Sequence, residues 1–344
     1  MATISPGSRA WLLLIVLACS TFSACNSSAF VPGHASLQGE GILGPTAARV
    51  GHVYVTDFQK GHGALVQFDV KDGFAVAPAR ILVRGLHEPL GVAVGPDGLV
   101  YVAEAGYGYH AIDVYRVTNG NAQLIRKITF APGFGPEPEF LAVDYQDYLY
   151  ASMDNTNVAV FKPGEHGYVQ NPHYLQNTGG AFKIGVDRLG DVYQPGGDHS
   201  YVHVGRPGKF AQSRTRPLIP RGAGWDYSVI TLARADGDEL FIGVGNYEGP
   251  ALLIGVIPIH AWGRVVVGRS LALEGGCALG IFTYGFSIAV ANGHLYETCD
   301  YERHSGKFVR GIWTYPTSGP KGVVHPLHFA PGPLLVPGDI ALGP

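Results

Sequence analysis

Along most of the chain, short apolar runs alternate with turns rich in glycine and aspartate, and one phrase of this pattern returns six times. Its fullest copy runs from Pro89 to Val102. Gly91-Val92-Ala93-Val94 is a dense apolar strand, Pro96-Asp97-Gly98 a turn, and Leu99-Val100-Tyr101-Val102 a second strand carrying an aromatic. Short β-branched runs joined through Asp-Gly read as tight hairpins, because Gly and Asp tolerate the backbone such turns need. The second-strand aromatics are Tyr54, Tyr101, Tyr150, Tyr193, Phe241 and Tyr296, at spacings of 47, 49, 43, 48 and 55 residues. A period in the forties with two strands visible per unit predicts the blades of a β-propeller.

The other first strands align as Phe140-Val143, Lys183-Val186, Val229-Leu232 and Ser287-Val290. Their density and small third residue suit an inner strand near a crowded axis. Their turns are Tyr145-Gln146-Asp147, Arg188-Leu189-Gly190, Asp236-Gly237-Asp238 and Asn292-Gly293. Third strands follow at Ala64–Val70, Ile112–Val117 and Asn157–Phe161, and Gln123–Ile128 reads as an outer strand. In the first two, apolar and polar residues alternate, as in half-exposed strands.

The last residues, Pro337-Gly338-Asp339-Ile340-Ala341-Leu342-Gly343-Pro344, match Pro89 to Pro96 position for position, and the chain stops there. The missing second strand stands at the other end, as Gly51-His52-Val53-Tyr54-Val55-Thr56-Asp57. One blade is therefore expected to be assembled from both termini, which removes the ring's open edge. Ile42-Leu43-Gly44-Pro45 competes for the same innermost place. The expectation is an all-β, six-bladed propeller closed by both termini.

Composition fits one domain over residues 48–344. Of 344 residues 46% are hydrophobic, enough for a large core, and 49 Gly with 24 Pro supply many turns. Net charge is −3, without the basic footprint of a nucleic-acid binder. Residues 1–25 read as an export signal. Arg9 precedes the apolar run Ala10–Ala18, too short to span a bilayer, and small residues follow. Phe22-Ser23-Ala24-Cys25 resembles a bacterial lipobox, with Asn26-Ser27-Ser28 opening a tether over 26–47. The chain is thus expected at the cell envelope, on the membrane only through lipid at Cys25, or otherwise periplasmic or secreted. Cys277 and Cys299 remain in the body. They are compatible with one disulfide or with two small buried thiols.

The repeated phrases resemble the NHL-repeat and SMP-30/gluconolactonase-like propellers, whose units read Pro-x-Gly-Val-Ala-Val-Asp-x-x-Gly-x-Leu-Tyr-Val. The likeness spans about residues 48–344 and extends to bacterial lipoproteins that carry such a ring. It implies blade packing rather than an activity. The enzymatic branch holds a divalent cation in the central funnel through a Glu-Gly-Pro glutamate with Asn and Asp side chains. Here Glu40-Gly41 is followed by Ile42, and no Ser-Asn-Gly phrase precedes an inner strand.

Acidic residues just before the inner strands are the first site candidates. Glu88, Glu137 and Asp226 occupy one equivalent place, with Glu139 two residues along, and Asp339 and Lys183 share the place of Gly91. Converging carboxylates could take a hard cation such as calcium, although no cofactor is required; Lys183 is the obvious charge partner. Asp198-His199 with His203, and His325 with His328, lack a third ligand. Asp57, Asp154 and Asp300 follow second strands and read as turn formers. The aromatic segments Tyr107-Gly108-Tyr109-His110 and Gly224-Trp225-Asp226-Tyr227 could grip a ligand by stacking or pack between blades. The sequence contains no nucleophile elbow, phosphate loop or CxxC. A binding or scaffolding module for a protein, peptide or small molecule is expected, with a metal-dependent lactonase or lyase as the alternative.

Lipid attachment is testable directly. When the protein is expressed in a bacterium that processes lipoproteins, mass spectrometry should find a mature N-terminus at Cys25 bearing a diacylglyceryl-sized addition. An unmodified N-terminus at another residue excludes the anchor.

Overall fold

The structure is a computed structural model. It describes residues 50–344 apart from 60, 107–108, 131–136, 154–157, 165–166, 169–172, 176–182, 187–191, 196–200, 206–213, 218–227, 237–238, 247–251, 259–268, 274–286, 303–307 and 320–322. Among the described residues every regular element is a β-strand. Six sheets of four or five strands follow the sequence period, with one further two-stranded hairpin at Pro163–Gly164 and Gly167–Tyr168. Blade 2 is the simplest. Its strands Pro89–Val94, Leu99–Glu104, Ala111–Thr118 and Asn121–Thr129 pair antiparallel in chain order.

Each innermost strand touches the next around the ring, and that of blade 6, Ile288–Ala291, touches the C-terminal strand of blade 1. Inner residues 92–94, 141–143, 184–186, 289–290 and 340–342 line a narrow apolar axial cavity of about 160 Å³. The close approach explains the small residues in these strands. A Cβ on Gly91 would lie 2.5 Å from the carbonyl oxygen of Glu139 in blade 3, well inside contact distance.

The turns adopt the conformations their residues favour. Asp147, Asn292, Gly98 and Gly293 all have positive φ, the left-handed backbone that Gly and Asn tolerate best. All six second-strand aromatics are at most 4% exposed. Five of them wedge against the following blade. Tyr54 packs with Val92 and Val100, Tyr101 with Leu141 and Leu149, Tyr150 with Ile184, Phe241 with Ile288 and Leu295, and Tyr296 with Val53 and Val55. Tyr296 also donates its hydroxyl to the carbonyl of Gly73 in the blade 1 hairpin at 2.9 Å. The recurring aromatic is therefore a seam between blades.

Closure uses both termini. His52–Asp57 pairs on one side with Gly63–Lys71 and on the other with Pro337–Gly343. His52 faces Gly343, Tyr54 faces Ala341 and Val55 faces Ile340, and a bulge shifts the register before Asp57. The innermost place belongs to the C-terminal strand; Ile42–Pro45 lies outside the described residues. Asp57 does more than form a turn. Its Oδ1 accepts the amides of Leu335 and Val336, at 2.9 and 2.6 Å, and so anchors the approach to the closing strand.

Blades 5 and 6 are also tied at the rim, where Val323–Val324 adds in parallel to Arg269–Leu273. In the seam between these blades, Glu297 shares a strand face with Leu295 and is opposite Ile288, among Phe241, Val256 and Tyr315. It is fully buried, and its Oε2 has no hydrogen-bond partner. The Tyr315 hydroxyl is close enough to act electrostatically but lies outside hydrogen-bonding geometry. Burial pushes the Glu297 carboxyl up to about 8, because a charge there would lose its hydration without recompense.

Two outcomes follow. Deleting residues 337–344 removes a paired inner strand and buried Ile340. It should cost about 3–5 kcal/mol and lower the melting temperature by about 10 °C, read by thermal denaturation. An unchanged melting temperature would make the segment dispensable to the ring. The second outcome concerns pH. Folded Glu297 keeps its proton to about pH 8, whereas the unfolded side chain releases it near 4.5. Its contribution is therefore complete below pH 4.5 and is lost progressively as pH rises to about 8. Chemical denaturation across that window should show a decline of up to about 5 kcal/mol, which Glu297→Gln flattens.

Candidate functional site

At the upper end of the ring, where the inner strands begin, the residues singled out in the sequence take different fates. Asp339 is 0% exposed. Its Oδ1 accepts the Ser287 hydroxyl of blade 6 at 2.6 Å, and its Oδ2 accepts the Val92 amide of blade 2 at 3.3 Å. Its own amide donates to Thr56 Oγ1, whose hydroxyl donates to the Leu90 carbonyl at 2.7 Å. One carboxylate thus fastens three blades and takes no part in an open rim. Lys183 is 4% exposed, donates to the Gly338 carbonyl at 3.3 Å, and holds its Nζ 5.2 Å from the centre of the Phe140 ring. It connects blade 4 to the closing strand and to blade 3.

Glu137 and Glu139 flank Pro138 at the start of the blade 3 inner strand, each partly buried and engaged with neighbours. Glu88 takes φ +49° where the chain turns into Pro89, and its carbonyl accepts the Ala105 amide. Asp226 lies outside the described residues, as do Trp225, Asp198, His199, Cys277 and Cys25. Cys299 sits in the strand His294–Glu302, opposite Gly311. Among the described residues no three His, Cys, Asp or Glu side chains come together as metal ligands.

The same end of blade 2 holds a cluster that sequence reading missed. Glu104 and Asp113, both buried, share the ammonium of Lys127 at 2.9 and 3.1 Å. Three adjacent strands contribute one member each, brought level by the pairing of Asp113 with Lys127 and Val102. Glu104 also accepts the His87 amide at 2.8 Å, and Asp113 accepts the Tyr115 hydroxyl at 3.0 Å. Burial works to raise the Glu104 carboxyl, but the His87 amide and the Lys127 ammonium outweigh it and hold that group below its usual range. Burial and the charge of Glu104 push Asp113 the other way, up. Lys127 is raised despite its partial burial, because both carboxylates favour its charged form. The cluster is therefore an ionic brace whose one half-exposed member is Lys127. A carboxylate inside each of two apolar runs, Leu99–Glu104 and Ala111–Thr118, was its only trace in the sequence.

Above the brace the imidazole of His87 and the phenol of Tyr109 stack, with centroids 3.4 Å apart and planes 9° from parallel. The loop between the second and third strands is pinned to the strand entrance by Gly106 N–H to the His87 carbonyl. Tyr109 N–H donates in turn to the Gly106 carbonyl at 2.7 Å. Tyr109 remains 43% exposed. The arrangement is an aromatic stack whose His87 backbone and the Lys127 ammonium meet the same Glu104 carboxylate. It can hold a flat-faced group.

No protein-family profile and no curated protein matches the sequence. Solved structures do match. A protein of unknown function from Bacteroides caccae superposes with a TM-score of 0.55 at 13% identity, over 86% of this chain and 99% of its own. A candidate 6-phosphogluconolactonase from Bacteroides uniformis gives 0.52 at 13% identity, over 83% and 84%. A candidate glucose dehydrogenase from Thermus thermophilus gives 0.50 at 15% identity, over 76% and 93%. At these identities what is shared is the fold, and that fold is the β-propeller.

Proposed function

We propose that the protein is an exported, lipid-anchored binding module of the cell envelope, holding its ligand on the upper end of blade 2. The observation that supports this most is the contrast between Asp339 and Tyr109. The axial carboxylate is fully buried and committed to Ser287 and Val92. The exposed chemistry is a stacked aromatic surface beside Lys127. Such a surface suits a saccharide ring, whose apolar face lies on Tyr109 while its hydroxyls reach the ammonium. The NHL-like repeats agree with a binding role, and the export signal would place the domain where envelope glycans are found.

The test has two arms. Purified protein is titrated calorimetrically with saccharides released from peptidoglycan. Tyr109→Ala should weaken binding about tenfold, the loss of roughly 1.4 kcal/mol of stacking, without moving the melting temperature. In parallel, lactone hydrolysis is measured with calcium, magnesium, manganese and zinc. Saturable turnover that a chelator abolishes and the added metal restores would replace this reading with the lactonase one.

A further inference from the structure

We propose that the outer rim of blades 1 and 2 lies against an anionic lipid surface, so that the membrane meets the ring itself as well as the anchor. The rim is formed by the outer strands Phe74–Leu86 and Asn121–Thr129, each the last in its sheet and paired on one side only. Leu82 and Val83 of the first strand and Ala122 of the second pack on one core cluster, which keeps the two strands side by side. Between them they carry Arg80, Arg84, Arg126 and Lys127 and no acid, in a chain whose 27 acids outnumber its 24 Lys and Arg.

Two of these cations are held from within. Arg80 meets Asp69 at 2.9 Å, and Lys127 meets Glu104 and Asp113, which are 2% and 4% exposed. Arg84 and Arg126 have no acidic partner among the described residues, and the nearest acids along the chain, Asp72 and Glu88, stand in turns beyond the ends of the first strand. Their guanidiniums supply the outward charge, with forked donors that suit phosphate oxygens.

The apolar half of the surface is independent of charge. Among the exposed large hydrophobic residues, only Leu124 and Ile125 adjoin in the chain, 49% and 43% exposed. Tyr115 pairs with Leu124 and Val114 with Arg126, so Ile125 is the extra residue of a bulge. A bulge and basic side chains on an outer strand oppose the addition of a partner strand. A lipid surface needs no register. Phosphates meet Arg84 and Arg126, Leu124 and Ile125 enter the acyl boundary, and the free backbone edge stays at headgroup depth, where water remains. Residues 26–49 separate Cys25 from the first described residue, about 80 Å when extended. Lipid at Cys25 would therefore bring the ring to the membrane without choosing a face, and the rim supplies the choice.

The inference rests on the envelope reading but not on the saccharide one, since it uses neither His87 nor Tyr109. The mature chain from residue 26, which keeps the whole ring and lacks both lipid and export signal, is sedimented at low salt with vesicles of phosphatidylcholine, alone or mixed with phosphatidylglycerol. It should bind the mixed vesicles at least about tenfold more tightly than the neutral ones. Arg84→Gln with Arg126→Gln should weaken that binding about thirtyfold, and Leu124→Ser with Ile125→Ser about tenfold, with the melting temperature unchanged. Leu327→Ser, at an exposed leucine of blade 6, should bind as before. The inference is overturned if neither vesicle binds, if both bind equally, if either double variant binds as before, or if Leu327→Ser weakens binding as much. Self-association in light scattering that the Leu124 and Ile125 changes abolish would assign the edge to a second copy of the chain and also overturn it. Loss of saccharide binding in Tyr109→Ala leaves the vesicle result untouched, so each reading can fail alone.

Discussion

The fold depends on one pairing, that of the last strand, Pro337–Gly343, with His52–Asp57. A ring of blades is stable only if its first and last blades meet, since otherwise two large apolar faces are left in water. Here they meet through an antiparallel hydrogen-bonded ladder inside one blade that is built from both ends of the described chain. Asp339 adds direction to the hydrophobic gain. Its carboxylate, with 0% exposure, reaches blades 2 and 6 at once, so the strand is fixed in position as well as buried. A buried carboxylate is tolerated there only because hydrogen bonds meet its oxygens.

That solution shapes what the rest of the molecule can do. The axial cavity is narrow and lined by aliphatic and small residues of the inner strands, and above it lies the network of Asp339, Ser287, Thr56 and Lys183. Polar chemistry is displaced outward, to blade 2 and to the cleft it shares with blade 1. Blade 2 contributes to both: Glu104 of its Glu104–Asp113–Lys127 brace accepts the amide of His87, whose ring stacks on Tyr109, and its Asp97–Leu99 and Arg116–Gly120 hairpins line the cleft.

Much of the fold was legible because the signals are local. Turn residues specify their own backbone, so Asp97-Gly98 and Asn292-Gly293 announced hairpins that the structure contains. The aromatic period announced a ring of repeated sheets, and the echo of Pro89–Pro96 in the final residues announced the closure. The alignment of acids was legible too, but not their surroundings. Glu88 and Glu137 hold one place in the repeat and Asp339 the place of Gly91, three residues on, yet Glu88 sits in a positive-φ turn and Asp339 at the buried meeting of three blades.

The sequence by itself determined the strands, their hairpins, the blade period and the use of both termini, since each rests on contacts within a few residues or on repetition. Tertiary structure alone decided which polar groups are spent on holding the ring and which face a ligand. Ser287 meets Asp339 across 52 positions, and Val92 meets it across 247. Gln67 is buried in the first blade with its Oε1 unpaired. Burial and hydrogen-bond partnership depend on which distant segments arrive, and no local pattern encodes that.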